Sequence, residues 1–474
     1  MFAVHVSEIE GEKEDRFDFV LTEKDELGRE MSTVAHSVEK GNYHQYMLSL
    51  KHIAESFDLE LPLIFAPLPE PTFETEFEEL LTAAVHEHIQ YGYGDPAIIR
   101  VDDENGVCWY GVSTSNDARE SFPIIKSFDL KTWEYAGSVF PAGGKPEWAE
   151  DRENIADYWA PELHKVGGGY RVYFVARHKD TQELCIGVAS SDKPAGPFQA
   201  AQAPLLRGNK IDPHVFVEET GESYLYWKED NNDFWRDTLT ELLFEHPEFI
   251  PILFPSQRHQ KGVSLAITLW PWMKRHNRAE HFFQTFLIEA VTRDFYAFEQ
   301  RLRRLLQESE AVTGMVNRIL TELKTPFFVQ QLSGDGFSLI GEKIKVLEND
   351  QSWEAHVIEG MWVTKRNRTY YMFYAGNNFA TSDYAIGIAS SESPLGPFKK
   401  KKEPFLGSTA KWLAPGHPSV AVGPDGKDRL FLHAYFPDQV GYRQFRAMLA
   451  VKLSFKGEWP EIEGIEEIKL PEQL

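Results

Sequence analysis

Cysteine is almost missing from this chain of 474 residues, which has two, Cys108 and Cys185. Two thiols cannot make a disulfide framework and supply no Cys-rich metal site. Long apolar runs are missing too: no stretch of about 18 apolar residues exists, so nothing reads as a membrane-spanning helix. Basic residues are outnumbered, with 49 Lys and Arg against 73 Asp and Glu and a formal charge of −24. A surface that acidic repels phosphate backbones and anionic lipid, so neither nucleic acid nor a membrane is an expected partner. The opening MFAVHVSEIEGEKEDRF has no basic n-region and no long apolar h-region. The expectation is a cytoplasmic protein, with a trimmed secreted precursor as the alternative. Aromatics, in contrast, are abundant at 13%. They suit sheet cores and also stack on sugar rings. Hydrophobic residues at 42% and charged residues at 26% give a globular balance, and the length allows several domains or one large one.

Composition divides the chain. Residues 1–90 are mixed, rich in Glu and read as a partly helical N-terminal extension. Tyr43, Tyr46, Met47, Leu50, Ile53, Ala54 and Phe57 recur at helical spacing. A second helix is predicted after Pro71, where Thr75 and Glu78 make a capping box ahead of Phe77, Leu80, Leu81, Ala84, Val85 and Ile89. From Tyr91 the texture changes to short β-runs such as CWYGVS, YRVYFVA and SYLYWK, punctuated by Gly, Pro and Asp. Residues 91–235 carry this texture and 236–326 interrupt it with a helical pattern. One long helix is predicted there through Phe283, Phe286, Leu287, Ala290, Val291, Phe298, Leu302 and Leu305. The β texture returns over 327–474.

Internal repeats decide the architecture. IGVASSDKPAGPF (Ile186 to Phe198) is echoed by IGIASSESPLGPF (Ile386 to Phe398), and Asp95-Pro96-Ala97-Ile98-Ile99 by Asp212-Pro213-His214-Val215-Phe216. Repeated strand units read as propeller blades, which leave few exposed edges. Roughly 280 residues of β texture, at about 50 per blade, predict an all-β, five-bladed propeller with a helical insertion. A double-sheet sandwich is the alternative, though it would not explain such long-period repeats.

Each Asp-Pro alone reads as a turn or the start of an extended run. Their matched placement would set two carboxylates at equivalent points of two blades, facing each other across the channel. Glu359 interrupts the apolar run from His356 to Trp362. It reads either as a solvated bend residue or as a desolvated carboxyl that keeps its proton, as a general acid must. Three such acids point to hydrolysis of a glycosidic bond, which needs one protonated and one ionised carboxyl. A third charge can hold the acid's proton by repulsion. Trp109, Trp159 and Trp362 lie nearest in sequence, and each is a candidate for sugar stacking or for the core.

Read in order, these segments resemble glycoside hydrolase family 43, the five-bladed arabinanases, arabinofuranosidases and β-xylosidases. The resemblance runs through GDPAIIRV, SFPIIKSFDLKTWEYAG, DYWAPELHKVGGGYRVYF, IGVASSDKPAGPF, IDPHVFVEETGESYLYW, VIEGMWVTKRNRTYYMFYAG and APGHPSVAV. It covers residues 91–235 and about 327–460. It implies an inverting hydrolase of α-L-arabinofuranosyl or β-D-xylosyl linkages in plant-type oligo- or polysaccharides. Asp95 would be the base that activates water and Glu359 the general acid. Asp212 would raise the acid's pKa and orient it. Inversion would set Asp95 and Glu359 roughly 6.5–9.5 Å apart. Trp159 would line the sugar pocket and Arg446 would contact the sugar, with Arg443 as a close competitor. His417 corresponds to a histidine that in some members faces a central ion, often calcium. No cofactor is required by the resemblance, and a calcium ion at the propeller centre is the one option it raises. Two departures stand out: Met361 replaces the usual Pro after Glu-Gly, and Pro418 replaces a small residue. The alternatives are a non-hydrolytic sugar-binding propeller and a related glycoside phosphorylase, which would need cationic phosphate contacts.

Overall fold

The aromatic β-runs fold as antiparallel sheets in the computed structural model. It describes residues 2–7, 16–24, 29–39, 51–59, 73–103, 106–152, 156–231, 234–273, 284–308, 310–437, 439–441 and 443–463. The chain divides into two units, residues 1–68 with 231–324 and residues 69–230 with 325–474.

The second unit holds five sheets, numbered I to V from the strand that begins each. Their innermost strands are Ala97–Asp103, Trp159–Val166, Lys210–Val217, Ile358–Arg366 and Leu413–Val422. In each sheet three further strands follow outward by antiparallel pairing. The inner strand of I packs beside that of II, II beside III, III beside IV, IV beside V, and V returns to I. That ring is a five-bladed propeller. The run of sheet III is broken in sequence: Ser223–Glu229 pairs with Phe327–Leu332, and residues 231–324 leave the unit between them.

The Asp-Pro echo marks a backbone device present in every sheet. In sheet III the register jumps between Ile211 and His214, so Asp212-Pro213 stands opposite one residue. Ala160-Pro161 does the same in sheet II, Gly360-Met361 in IV and Ala414-Pro415 in V. In sheet I, Thr114 donates its amide to Gly94 O at 2.9 Å and Val112 pairs with Ala97, leaving Asp95-Pro96 in the same place. The first residue of each pair has positive φ, from 42° at Ala160 to 58° at Gly360. A bulge with a left-handed first residue re-aims side chains, and it tolerates proline because the ladder is already interrupted. Left-handed backbone outside glycine is strained and gathers at functional sites.

The predicted helix after Pro71 is not formed. Glu78–Leu81 is instead a strand on sheet V, pairing Leu81 with Met448 and Glu78 with Ala450. Tertiary pairing overrides the capping box here. Glu78 binds Arg429 at 2.8 Å, and Leu81 is buried with Tyr93, Trp109 and Met448. Residues 69–90, grouped with the extension by composition, therefore belong to the sheet unit. Leu81→Ala should cost about 2–5 kcal/mol in urea unfolding. A change below about 0.5 kcal/mol, typical of an exposed site, would remove the strand from the fold.

The first unit pairs three strands, Phe2–Ser7, Arg16–Lys24 and Glu30–Glu39, in that order. Its helices include Phe234–Glu245, Gln257–Met273, Thr285–Thr292, Phe295–Glu308 and Thr313–Glu322. The single long helix predicted through this region is broken at Arg293-Asp294. Phe286, Leu287, Ala290, Val291, Phe298, Leu302 and Leu305 are all buried as the stripe required, and Phe283 lies outside the described residues. Of the N-terminal stripe, Ile53, Ala54 and Phe57 are buried on or beside a helical turn at 51–56; Tyr43, Tyr46, Met47 and Leu50 lie outside the described residues. Among the described residues no helix is long and apolar enough to cross a membrane.

Candidate active site

The bulges bring the three acids to one end of the inner strands. Asp95 and Asp212 are themselves left-handed bulge residues. Glu359 stands one position ahead of its bulge residue, Gly360.

Asp95 is held from several sides. Arg446 grips it with two bonds, Nη1 to Oδ1 at 2.8 Å and Nη2 to Oδ2 at 3.1 Å. The Thr114 hydroxyl donates to Oδ2 and itself receives the Ala160 amide at 2.8 Å, so Thr114 joins sheets I and II. His417 Nδ1 lies 3.3 Å from Oδ1. The Asp95 amide donates to His433 Nδ1 at 3.1 Å, which places that ring's proton on Nε2. Burial alone would raise the Asp95 pKa. Arg446 foremost, with the neighbouring imidazoles and Thr114, outweighs it and holds the carboxyl well below the usual carboxylate range. Asp95 is thus an anion across the working pH range. Arg446 fits because Gly94 has no side chain: a Cβ there would fall 1.9 Å from the guanidinium.

Asp212 is the buried one of the three acids. Burial, then the charge of Glu359, pushes its carboxyl up to about 6, against His417, Lys228 and the Gly360 amide. That amide donates to Asp212 Oδ2 at 2.9 Å. Glu359 Oε1 accepts the Tyr384 hydroxyl at 2.8 Å, and Oε2 faces Lys228 Nζ at 3.2 Å. Tyr384 feels all three acids, which add to burial in raising its pKa well above the ordinary value. The sequence left Glu359 either as a solvated bend residue or as a desolvated carboxyl. Asp212 is buried, while Glu359 is half-buried and has two donors.

Of the tryptophans, Trp159 is half-buried and its Nε1 donates to Asn116 Oδ1 at 3.0 Å. Trp109 and Trp362 are core residues. Trp109 donates to Val422 O at 2.9 Å, and the Trp362 ring lies 4.6 Å from that of His214. Arg443 binds Asp117 at 2.8 Å, so Arg446 is the arginine on Asp95.

Calcium takes six to eight oxygen ligands. Among the described residues the cluster of metal-ligand types is Glu162, His164 and His214. Glu162 Oε2 already meets His164 Nε2 at 2.6 Å and His214 Nδ1 at 2.7 Å. The Val363 amide donates to His214 Nε2 at 2.9 Å, so the His214 proton sits on Nδ1 and points at Glu162. His417, the residue tied to an ion by resemblance, has its Nδ1 on Asp95. One carboxylate and these imidazoles do not fit calcium.

Thr114, Lys228, Tyr384 and His433 escaped the sequence reading. Lys228 left a trace there, a cation closing the aromatic run SYLYWK.

The model of glycosyl hydrolases family 43 matches residues 89–243 and 316–460. Xylosidase/arabinosidase 43A of Humicola insolens is 45% identical over 69 residues, 15% of this chain and 21% of that protein. A probable arabinan endo-1,5-alpha-L-arabinosidase A of Aspergillus flavus is 35% identical over 149 residues, 30% of this chain and 42% of that protein. The chain therefore spans well under two thirds of these curated relatives. A solved thermostable family-43 glycoside hydrolase superposes with a TM-score of 0.54 at 23% identity, covering 80% of this chain and 95% of that one. This last likeness concerns the fold, and it agrees with the five sheets. With more than half of its length matched by the family model, the chain belongs to glycosyl hydrolases family 43.

Proposed function

We propose that the protein is an inverting O-glycosyl hydrolase of α-L-arabinofuranosyl or β-D-xylosyl linkages in oligo- or polysaccharides. One observation carries this reading: three carboxyls converge, Asp95 tied to Arg446 and Asp212 joined to the strand of Glu359 through the Gly360 amide. Asp95 is kept ionised chiefly by Arg446, while burial and the charge of Glu359 raise the pKa of Asp212. Carboxyls driven apart in this way mark base and acid roles.

In the reaction, a water attacks the anomeric carbon while Asp95 accepts one of its protons. The bond from that carbon to the leaving oxygen breaks, and Glu359 gives that oxygen its proton. Asp212 orients the acid's strand through the Gly360 amide. Half-exposed Trp159 offers a face for the sugar ring. Arg446, assigned to the sugar by resemblance, acts first on Asp95. His417 stands between Asp95 and Gly360 and shapes the floor on which the sugar rests. A phosphorylase finds less support: the site's Arg446 and Lys228 are each paired with a carboxylate.

The names of the relatives support the sugar class, since one is called a xylosidase/arabinosidase and another a probable arabinan endo-arabinosidase. The test is turnover of p-nitrophenyl α-L-arabinofuranoside and β-D-xyloside, with proton NMR of the first-formed sugar. Release of a sugar of opposite anomeric configuration is expected. Retained configuration would overturn the mechanism. Absent turnover with calorimetric sugar binding would replace hydrolysis by a binding role.

A further inference from the structure

Burying a lysine is expensive unless its charge is matched. The Lys228 side chain is 0% exposed. It lies on the second strand of sheet III, yet its ammonium reaches across to sheet IV, 3.2 Å from Glu359 Oε2, with Asp230 at 3.8 Å. Burial works against its charge, but Glu359, Asp230 and Asp212 outweigh it and raise its pKa, so it is a cation.

The same contact bears on the acid. Glu359 has two carboxyl oxygens and a committed donor on each, Tyr384 on Oε1 and Lys228 on Oε2. A neutral carboxyl must place its proton on one of these oxygens, where a donor already stands. Tyr384 can turn its hydroxyl and accept that proton instead. An ammonium has no lone pair and cannot. The other charges around the carboxyl are Asp212 from the inner strand of sheet III and His417 from sheet V, with Asp95 beyond Tyr384.

We propose that Lys228 is a positioning residue for the acid: it fixes Glu359 through Oε2, directs the transferable proton to Oε1, and sets the pH above which that proton is lost. This rests on the reading of Glu359 as general acid. Lys228 is thereby a brake on the alkaline side. A cation 3.2 Å from a carboxyl favours its charged form, so removing the lysine should move the alkaline limb of turnover upward.

The test compares Lys228→Met and Lys228→Arg with the parent protein in kcat/KM against pH on an aryl glycoside. Without the cation the alkaline limb should move up by about one to three pH units. With Arg it should stay. A merely structural lysine would lower rates and leave the limb in place. Lys228→Met with Asp230→Asn removes the cation and its second anion together and serves if the single variant fails to fold. The same titration is readable without substrate, from the protonated-carboxyl infrared band that disappears in Glu359→Gln. An unmoved limb or band in the folded Met variants overturns the proposal. Glu359→Gln on good and poor leaving groups runs alongside. If it loses both equally, the acid assignment fails instead, and the two failures stay distinct.

Discussion

Asp95→Asn should lower kcat/KM by about 10²–10⁴-fold on every substrate, whatever its leaving group. The amide is nearly the size of the carboxylate and can still accept from Thr114 and from one Arg446 nitrogen. What it cannot do is take a proton from water. It also replaces one oxygen of the paired contact with Arg446 by an NH₂ that faces a donor. A modest loss of stability should therefore accompany the loss of rate, because the buried guanidinium becomes half-paired. The discriminating measurement is steady-state turnover on a leaving-group series together with a thermal melt. A folded Asp95→Asn protein with parental rates would remove Asp95 from the chemistry. Added azide is a second reading: a small anion in the freed space can attack directly, restoring turnover with a glycosyl azide as product.

Glu359→Gln should behave differently. On a natural sugar leaving group, which departs as an alkoxide unless protonated, the loss should again be about 10²–10⁴-fold. On a 2,4-dinitrophenyl glycoside, whose leaving oxygen needs no proton, the rate should stay within about tenfold of the parent, since general-acid help then contributes little. A plot of log rate against leaving-group pKa should steepen accordingly. The variant also leaves Lys228 facing an amide in place of a carboxylate, with Asp230 and Asp212 as its remaining named anions. Parallel slopes for parent and variant would exclude Glu359 as the proton donor.

How much of this was readable in the residues follows a physical pattern. The Asp-Pro pair at 95 and 212 was visible because aspartate carries chemistry. The same bulge at Ala160-Pro161 and Ala414-Pro415 went unread because alanine carries none, although the prolines repeat the mark. The fourth copy, Gly360-Met361, lacks the proline and keeps the backbone by using glycine. The five-bladed architecture could be read from these echoes and from aromatic strands of regular spacing. The strand at Glu78–Leu81 could not, because its partner lies more than 360 residues away at Met448 to Ala450 and the local helix signal was strong. The site shows the same division. Acids announce themselves, but the residues bonded to them, Arg446, Lys228, Thr114 and Tyr384, come from other parts of the chain and meet them only on folding. The two readings of Glu359, bend residue or desolvated carboxyl, stayed open for that reason: burial is a property of the packed blade, and a buried cation cannot be placed from a run of neighbours.

The hairpin that releases residues 231–324 has one more implication. Its strands remain paired to the last step, Lys228 with Phe327, and Glu229 donates its amide to Pro326 O at 3.2 Å. The two stubs are therefore already side by side, and a turn of a few residues would join them. Closing entropy grows only slowly with loop length, so such a seam accepts passengers of almost any size. It also touches the acid from both flanks: Lys228 lies just before the exit, and Thr325, just after the return, accepts the Ile358 amide through its hydroxyl at 2.9 Å. The seam is thus a socket wired to Glu359. A foreign cassette spliced there, one that stiffens when it captures its own ligand, would report that capture at the three acids.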